Sequence, residues 1–341
     1  MSRTAWIEIR PLLIAALFLL GAVGCRPGGE RPPRRDRIVR IVVIGEAEDE
    51  PTWAVVQATA AAFVRNNPLT HVVTRAPRTA SPSAQQDLLR ALEQEEIDAA
   101  CIHPIDSASL REMIDVLSQR GLPIVVFGRD VHTSKRGSYC GPSDFEIGQK
   151  SVEAAIRVLA HRAKSIILLH GGLDLEDRSK RYYGFKQGLS QTTGVTLLRE
   201  VDCQGDPFTS VRLVRIESRR YPRAGCWVFL DDWPLRALRD DEPLLSLGAT
   251  FVLCHGSPRY FERLRDGEVQ AMIGYDYQKA VSESLLAAMR MVEDRTGGFS
   301  PVVDVPVEIV TAEQLPDYEA RWKAWQRGEP SPQRQTEPSG K

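Results

Sequence analysis

The chain has 341 residues, of which 43% are apolar and 26% charged, with a formal net charge of −1. That length allows one large domain or two ordinary ones with real cores, and the composition is that of a soluble globular protein. The near-zero charge leaves no basic field to recruit nucleic acid, and the six cysteines and six histidines show neither CxxC nor HExxH spacing.

The chain begins with Arg3 and Arg10, an apolar stretch from Leu12 to Val23, and then Gly24-Cys25. The apolar run is roughly a dozen residues, short of the about 20 that span a bilayer. A charged start, a short apolar middle and small residues before a cut describe a secretory signal over residues 1–24. The cysteine after Ala22-Val23-Gly24 is similar to the bacterial lipobox, whose cysteine is acylated, so Cys25 is the expected lipid anchor. Residues 25–37 are rich in proline, glycine and arginine and read as a membrane tether.

From Ile38 the pattern changes. Ile38 to Ile44 is a nearly continuous β-branched run closed by Gly45, as expected of a strand buried on both faces. Trp53 to Val64 carries helical periodicity, and Asn67-Pro68 stops it. Strands follow at 71–74, 97–102 and 123–127, with helices at 83–95 and 107–119. A second series starts after Tyr139-Cys140-Gly141-Pro142. Its helices are expected at 145–160, 179–190, 211–219, 259–265 and 278–292, and its strands at 165–170, 195–201, 226–230, 249–254 and 269–273. Alternation of this kind argues for parallel sheets with right-handed crossovers. Two series of similar size imply an α/β protein of two similar Rossmann-like lobes. Ligands of such sheets bind beyond the carboxyl ends of the strands. The cysteines other than Cys25 (Cys101, Cys140, Cys203, Cys226 and Cys254) include several in apolar runs, where a buried thiol is the commoner state. Their disulfide state stays open. The segment 328–341 lacks large apolar residues and is expected to be disordered.

Several short runs in this order resemble one family. They are Asp49-Glu50-Pro51-Thr52-Trp53 after the first strand, Ile102-His103-Pro104-Ile105-Asp106-Ser107, Gly121-Leu122-Pro123-Ile124-Val125-Val126, and Ser143-Asp144 with Gly148. Arg181-Tyr182-Tyr183-Gly184-Phe185, Asp231-Asp232 and Gly267-Glu268-Val269-Gln270-Ala271 complete the series. From about Ile38 to Thr311 the chain looks like the type I periplasmic binding proteins, in the ribose-binding-like branch. The resemblance implies three crossings between lobes, near Cys140–Pro142, Tyr275–Tyr277 and Ser300–Asp304. The lobes would then be 38–140 with 276–300, and 141–275 with 301–327. It implies a small polar, sugar-like ligand, held without chemistry or cofactor, and delivered to an ABC-type permease. The alternative is a ligand-sensing lipoprotein that signals to a membrane sensor kinase or receptor.

The resemblance also suggests site positions. Trp53 stands where the family has an aromatic clamp, with packing at the helix start as the alternative. Arg129 matches a ligand arginine, and Gly128 replaces the aspartate beside it. Asp231 replaces an asparagine, His255 an aspartate and Tyr275 a hinge glutamine. Glu46 and Glu50 occupy positions usually filled by small or amide groups, and Ser179 falls where another ligand arginine would lie. Arg181 reads as a helix anchor. No phosphate loop, dinucleotide fingerprint or nucleophile elbow is present. The helix-turn-helix that precedes the same core in related transcriptional regulators is replaced by the signal and tether.

Overall fold

The computed structural model describes residues 37–159, 164–239, 242–245, 250–294 and 300–331. The signal, Cys25 and nearly all of the tether lie outside the described residues, as does the tail beyond 331. No described helix is long and apolar enough to cross a membrane.

The first series runs β1 (Val39–Ile44), α1 (Pro51–Asn66), β2 (Thr70–Arg75), α2 (Pro82–Ala91), β3 (Ala99–Ile102), α3 (Ser107–Gln119), β4 (Ile124–Phe127) and β5 (Ser138–Gly141). The second runs α4 (Asp144–Val158), β6 (Ser165–His170), α5 (Glu176–Ser190), β7 (Thr196–Asp202), α6 (Pro207–Arg220), β8 (Cys226–Phe229), α7 (Trp233–Arg236), β9 (Phe251–Leu253), α8 (Phe261–Arg265) and β10 (Ala271–Tyr275). The chain closes with α9 (Tyr277–Glu293), β11 (Val302–Asp304), β12 (Val307–Thr311) and α10 (Leu315–Trp325). Helix starts follow local chemistry. Ser81 and Asp206 accept from the amides of Ala84 and Thr209, each just before a proline at the first helical position. Asp106, Ser143 and Asp276 cap α3, α4 and α9 in the same way.

Two six-stranded sheets result. The first has the order β11-β5-β4-β3-β1-β2 and is parallel throughout; the second has the order β12-β10-β9-β8-β6-β7, with only β12 antiparallel. The central strands β1, β3, β4, β6 and β8 are buried on both faces, which is why they read as unbroken apolar runs. On the first sheet, α1 and α9 cover one face, and α2 with α3 cover the other. On the second, α4 and α5 pack over Ile166, Leu168, Val228 and Val252.

The chain passes between sheets after β5 and again after β10, where the first two crossings are expected. The third differs. Val302–Asp304 hydrogen-bonds along β5 as an edge strand of the first sheet, so the crossing falls at Val305–Pro306 and residues 302–304 belong to the first lobe. Helix α10 is not a second-lobe element alone, because it touches α1 as well as α8. Residues 328–331 carry hydrogen bonds to the body of the fold. The Gln278 side chain donates to the Glu329 carbonyl (2.8 Å), and the Trp325 indole donates to Ser331 Oγ (2.7 Å). Cys101, Cys140, Cys203 and Cys254 are buried free thiols, and Cys226 is buried as well.

Candidate functional site

The tips of β1, β3 and β4 face the tips of β8, β9 and β10, and the loops beyond them enclose a cleft. The first-lobe wall is organised by Gln85 of α2, which is fully buried. Its amide donates to the carbonyls of Gly45 (2.9 Å) and His103 (2.7 Å) and accepts from the Ile105 amide (3.0 Å). One side chain thus ties the loops after β1 and β3 together. Gly128, just past β4, adopts φ +72°, and a β-carbon there would lie 2.6 Å from His103 Nε2. The imidazole occupies the space a side chain at 128 would need, which accounts for glycine where the family carries an aspartate. His103 also shares a 2.9 Å hydrogen bond through Nδ1 with the Tyr277 hydroxyl and stacks on Phe127. Burial lowers its pKa to about 3, with Arg129 and His255 adding to the effect, so the ring is neutral.

Arg129 is directed across the cleft. Its Nη1 lies 3.2 Å from Asp177 Oδ2 and its Nη2 3.5 Å from Asp231 Oδ2. Arg181 of α5 meets the same cluster from within the second lobe. It donates through Nε to Asp144 (2.7 Å) and through Nη1 to the Leu230 carbonyl (3.0 Å), and it approaches Asp231 at 3.4 Å. Burial opposes ionisation of Asp144, but Arg181 and His132 outweigh it and hold the carboxyl below its ordinary value. Asp232 accepts from the Tyr260 hydroxyl (2.7 Å) and pairs with Arg236 at 3.1 Å. Desolvation would raise its pKa; Arg236, His255 and the tyrosine keep it well below the carboxylate range. Further cross-cleft contacts are Arg259 to Glu50 (3.1 Å) and Ser107 to Asp177 (3.2 Å).

Between these walls lies a space of about 70 Å3, lined among others by Glu46, Thr52, His103, Arg129, Arg181, His255, Tyr275 and Tyr277. Small-molecule sites run to roughly 300–1,000 Å3. Admission of a sugar-sized ligand therefore requires the cross-cleft pairs to part.

The expected site residues divide. Glu46, Arg129, His255 and Tyr275 line the space. Asp231 backs it through Arg129 and Arg181, and Glu50 closes its edge through Arg259. Trp53 does not line it. Its ring lies over Gly45, where a β-carbon would sit 2.7 Å from Trp53 Cε3, and it packs on the lobe core. Ser179 is also outside, its hydroxyl turned back to the Glu176 carbonyl at 3.1 Å. His103, Tyr277 and Asp177 are site groups that the family pattern does not point to. For His103 the available signal is its place immediately after an apolar strand. Arg181 does anchor its helix, but it also faces the space. Asp231, Asp232 and His255 present ligand atoms within 4.8 Å of one another. Arg129, Arg181 and Arg236 already hold both aspartates, so a cation would have to displace guanidinium groups.

Two mostly parallel-sheet lobes, three crossings and polar strand tips meeting across a cleft define the two-lobed fold of the periplasmic binding proteins. The chain belongs to the periplasmic binding protein family: the model of the periplasmic binding protein domain matches residues 41–296. No curated protein matches the sequence at a significant level. Solved structures of sugar- and solute-binding proteins share the fold. An arabinose-binding protein from Geobacillus stearothermophilus has a TM-score of 0.67 at 13% identity, over 82% of this chain and 99% of that one. A sugar-binding protein of a sugar ABC transporter from Bacillus halodurans has 0.67 at 16%, over 83% and 100%. A solute-binding protein from Bacillus halodurans with bound myo-inositol has 0.64 at 18%, over 83% and 98%.

Proposed function

We propose that the protein is an extracytoplasmic solute-binding lipoprotein. Its cleft closes on a small polyhydroxylated, sugar-like ligand and hands it to an ABC-type permease while Cys25 keeps it at the membrane. The observation that carries this reading is the pairing of Arg129 with Asp177 and Asp231, contributed by strand tips and a helix start on opposite lobes. A hydroxyl both donates and accepts, so a polyol inserted between such partners can satisfy guanidinium and carboxylate alike. Ligand that touches both lobes favours the closed arrangement by its differential affinity for it. The polyhydroxylated ligands bound by structural neighbours, arabinose, allose and myo-inositol among them, fit the same chemistry. No covalent step is assigned to the cleft.

Thermal-shift and calorimetric screening of the mature protein against aldoses, inositols, amino sugars and amino acids tests the reading. Stabilisation by one or more polyhydroxylated compounds, lost in Arg129→Met, is the expected result. Stabilisation by amino acids alone, or by nothing in the panel, overturns it. Replacement of Cys25 by serine should move the protein from the membrane to the soluble fraction; continued membrane retention would count against acylation.

A further inference from the structure

Around the cleft, acids and cations are matched with one exception. Asp130, Asp144, Asp177, Asp231, Asp232 and Glu50 each have an arginine nitrogen within 3.5 Å. Glu46 has none. Its carboxylate lines the open space, its side chain is only 11% exposed, and the one basic nitrogen within 4 Å among the described residues is His103 Nδ1, at 3.8 Å. That nitrogen is engaged by Tyr277 and belongs to a neutral ring. Desolvation raises the Glu46 pKa, and Arg236, Arg129 and His255 offset this only in part. All the same, Arg236 and Arg129 are committed to Asp232, Asp177 and Asp231. A second polar atom lacks a partner on the opposite wall: His255 Nδ1 is buried without a hydrogen bond among the described residues.

A buried carboxylate without a cation is costly, and a group that brings both positive charge and N–H donors relieves that cost directly. We propose that Glu46 makes the cleft selective for a polyhydroxylated ligand bearing a protonated amine, an amino sugar or aminocyclitol, over its neutral counterpart. This rests on the cleft being the ligand site. The hydroxyls of such a ligand exchange with the Arg129 and Asp231 partners, and its ammonium seats against Glu46. A neutral sugar fills the same volume but leaves the carboxylate to be protonated or unpaired.

The test is calorimetric titration of the full mature chain with glucosamine, galactosamine and mannosamine, each beside its parent hexose and its N-acetyl form. The expected result is at least tenfold tighter binding of one or more amines than of the matching hexose and N-acetyl sugar. Glu46→Gln should bring the amine and hexose to within about threefold of each other. Equal or tighter binding of the hexoses overturns the selectivity and leaves the cleft reading intact, as does an amine preference that survives Glu46→Gln. Absence of binding by all nine compounds overturns the selectivity, and if the wider panel is silent too the cleft reading falls with it. The wild-type comparison decides the matter by itself where the variant does not fold.

Discussion

Arg129, just past the tip of β4 in the first lobe, and Asp177, in the first turn of α5 in the second, face each other across the cleft with Nη1 and Oδ2 3.2 Å apart. The pair is nearly dehydrated, with side-chain exposures of 18% and 3%. Under the proposed function, a ligand seated between the lobes takes over the hydrogen bonds that these two groups now make directly to each other.

Removing one side of that arrangement strands the other. Arg129→Met leaves Asp177 without its arginine and Asp231 with only Arg181. Breaking a buried pair on one side costs about 3–5 kcal/mol. The variant should show a loss of that order in urea unfolding and a larger radius of gyration by small-angle scattering. An unchanged radius would show that the pair does not hold the lobes closed.

The Arg259–Glu50 contact is the more exposed one, with the arginine side chain 35% accessible. Pairs of this kind contribute about 0–1 kcal/mol. Arg259→Ala should change unfolding stability by less than about 1 kcal/mol and still shift the ensemble toward open forms, because the contact joins the lobes. Scattering and urea melts together distinguish these two effects.

His132 gives the fold a dependence on alkaline pH. It sits in the first lobe and faces Asp130 (2.9 Å), Asp144 (3.5 Å), Glu176 (3.9 Å) and the Lys180 ammonium (3.0 Å), with Arg136 and Arg181 on the far sides of the two aspartates. Burial lowers its pKa, but hydrogen bonds to Asp130 and Asp144 prevail and raise it from 6.5 to about 9. A raised folded-state value means that the stabilisation is complete below 6.5 and is lost as pH climbs through about 9. The melting temperature should fall across that window in the wild type and fall less in His132→Gln. Parallel slopes would remove His132 as the cause.

Gly128 and Gly121 both have positive φ, +72° and +85°, but a β-carbon at 121 meets nothing within 4 Å whereas one at 128 meets the His103 ring. Gly121→Ala should cost about 1–2 kcal/mol, the backbone term alone. Gly128→Ala should cost more and should also weaken ligand binding, since His103 must move. Equal losses in urea melts would mean that the imidazole gives way freely.

Much of the architecture is legible in the chain because the central strands are buried on both faces and leave long apolar runs such as Ile41–Ile44 and Ile166–Leu169. Short or edge strands leave no such trace. Ser138–Gly141 is not among the expected strands, and Val302–Asp304 is three residues long and largely exposed, so the third crossing lands a few residues from its expected place. The cleft is legible where a residue lies at a strand's carboxyl end or two residues beyond it, as Tyr275 and then Glu46, Arg129 and His255 do. Asp177 and Gln85 act through partners far off in sequence, 48 residues away for Arg129 and 40 for Gly45, and local spacing carries no sign of such pairings. Trp53 shows the opposite hazard: an aromatic at a suggestive position is used here to cover a glycine turn.

Helix α10 is fastened to both halves. Trp322 stacks on Tyr277 with planes 16° apart, Tyr318 donates to the Gly256 carbonyl at 3.1 Å, and Ser331 donates to Asp276 at 3.0 Å. A separation of the halves would require this segment to give up its contacts with one of them, and if those to the first lobe part, the indole at 322 loses its stacked neighbour. The molecule thus carries its own optical gauge: tryptophan emission should track opening and closing without any added dye.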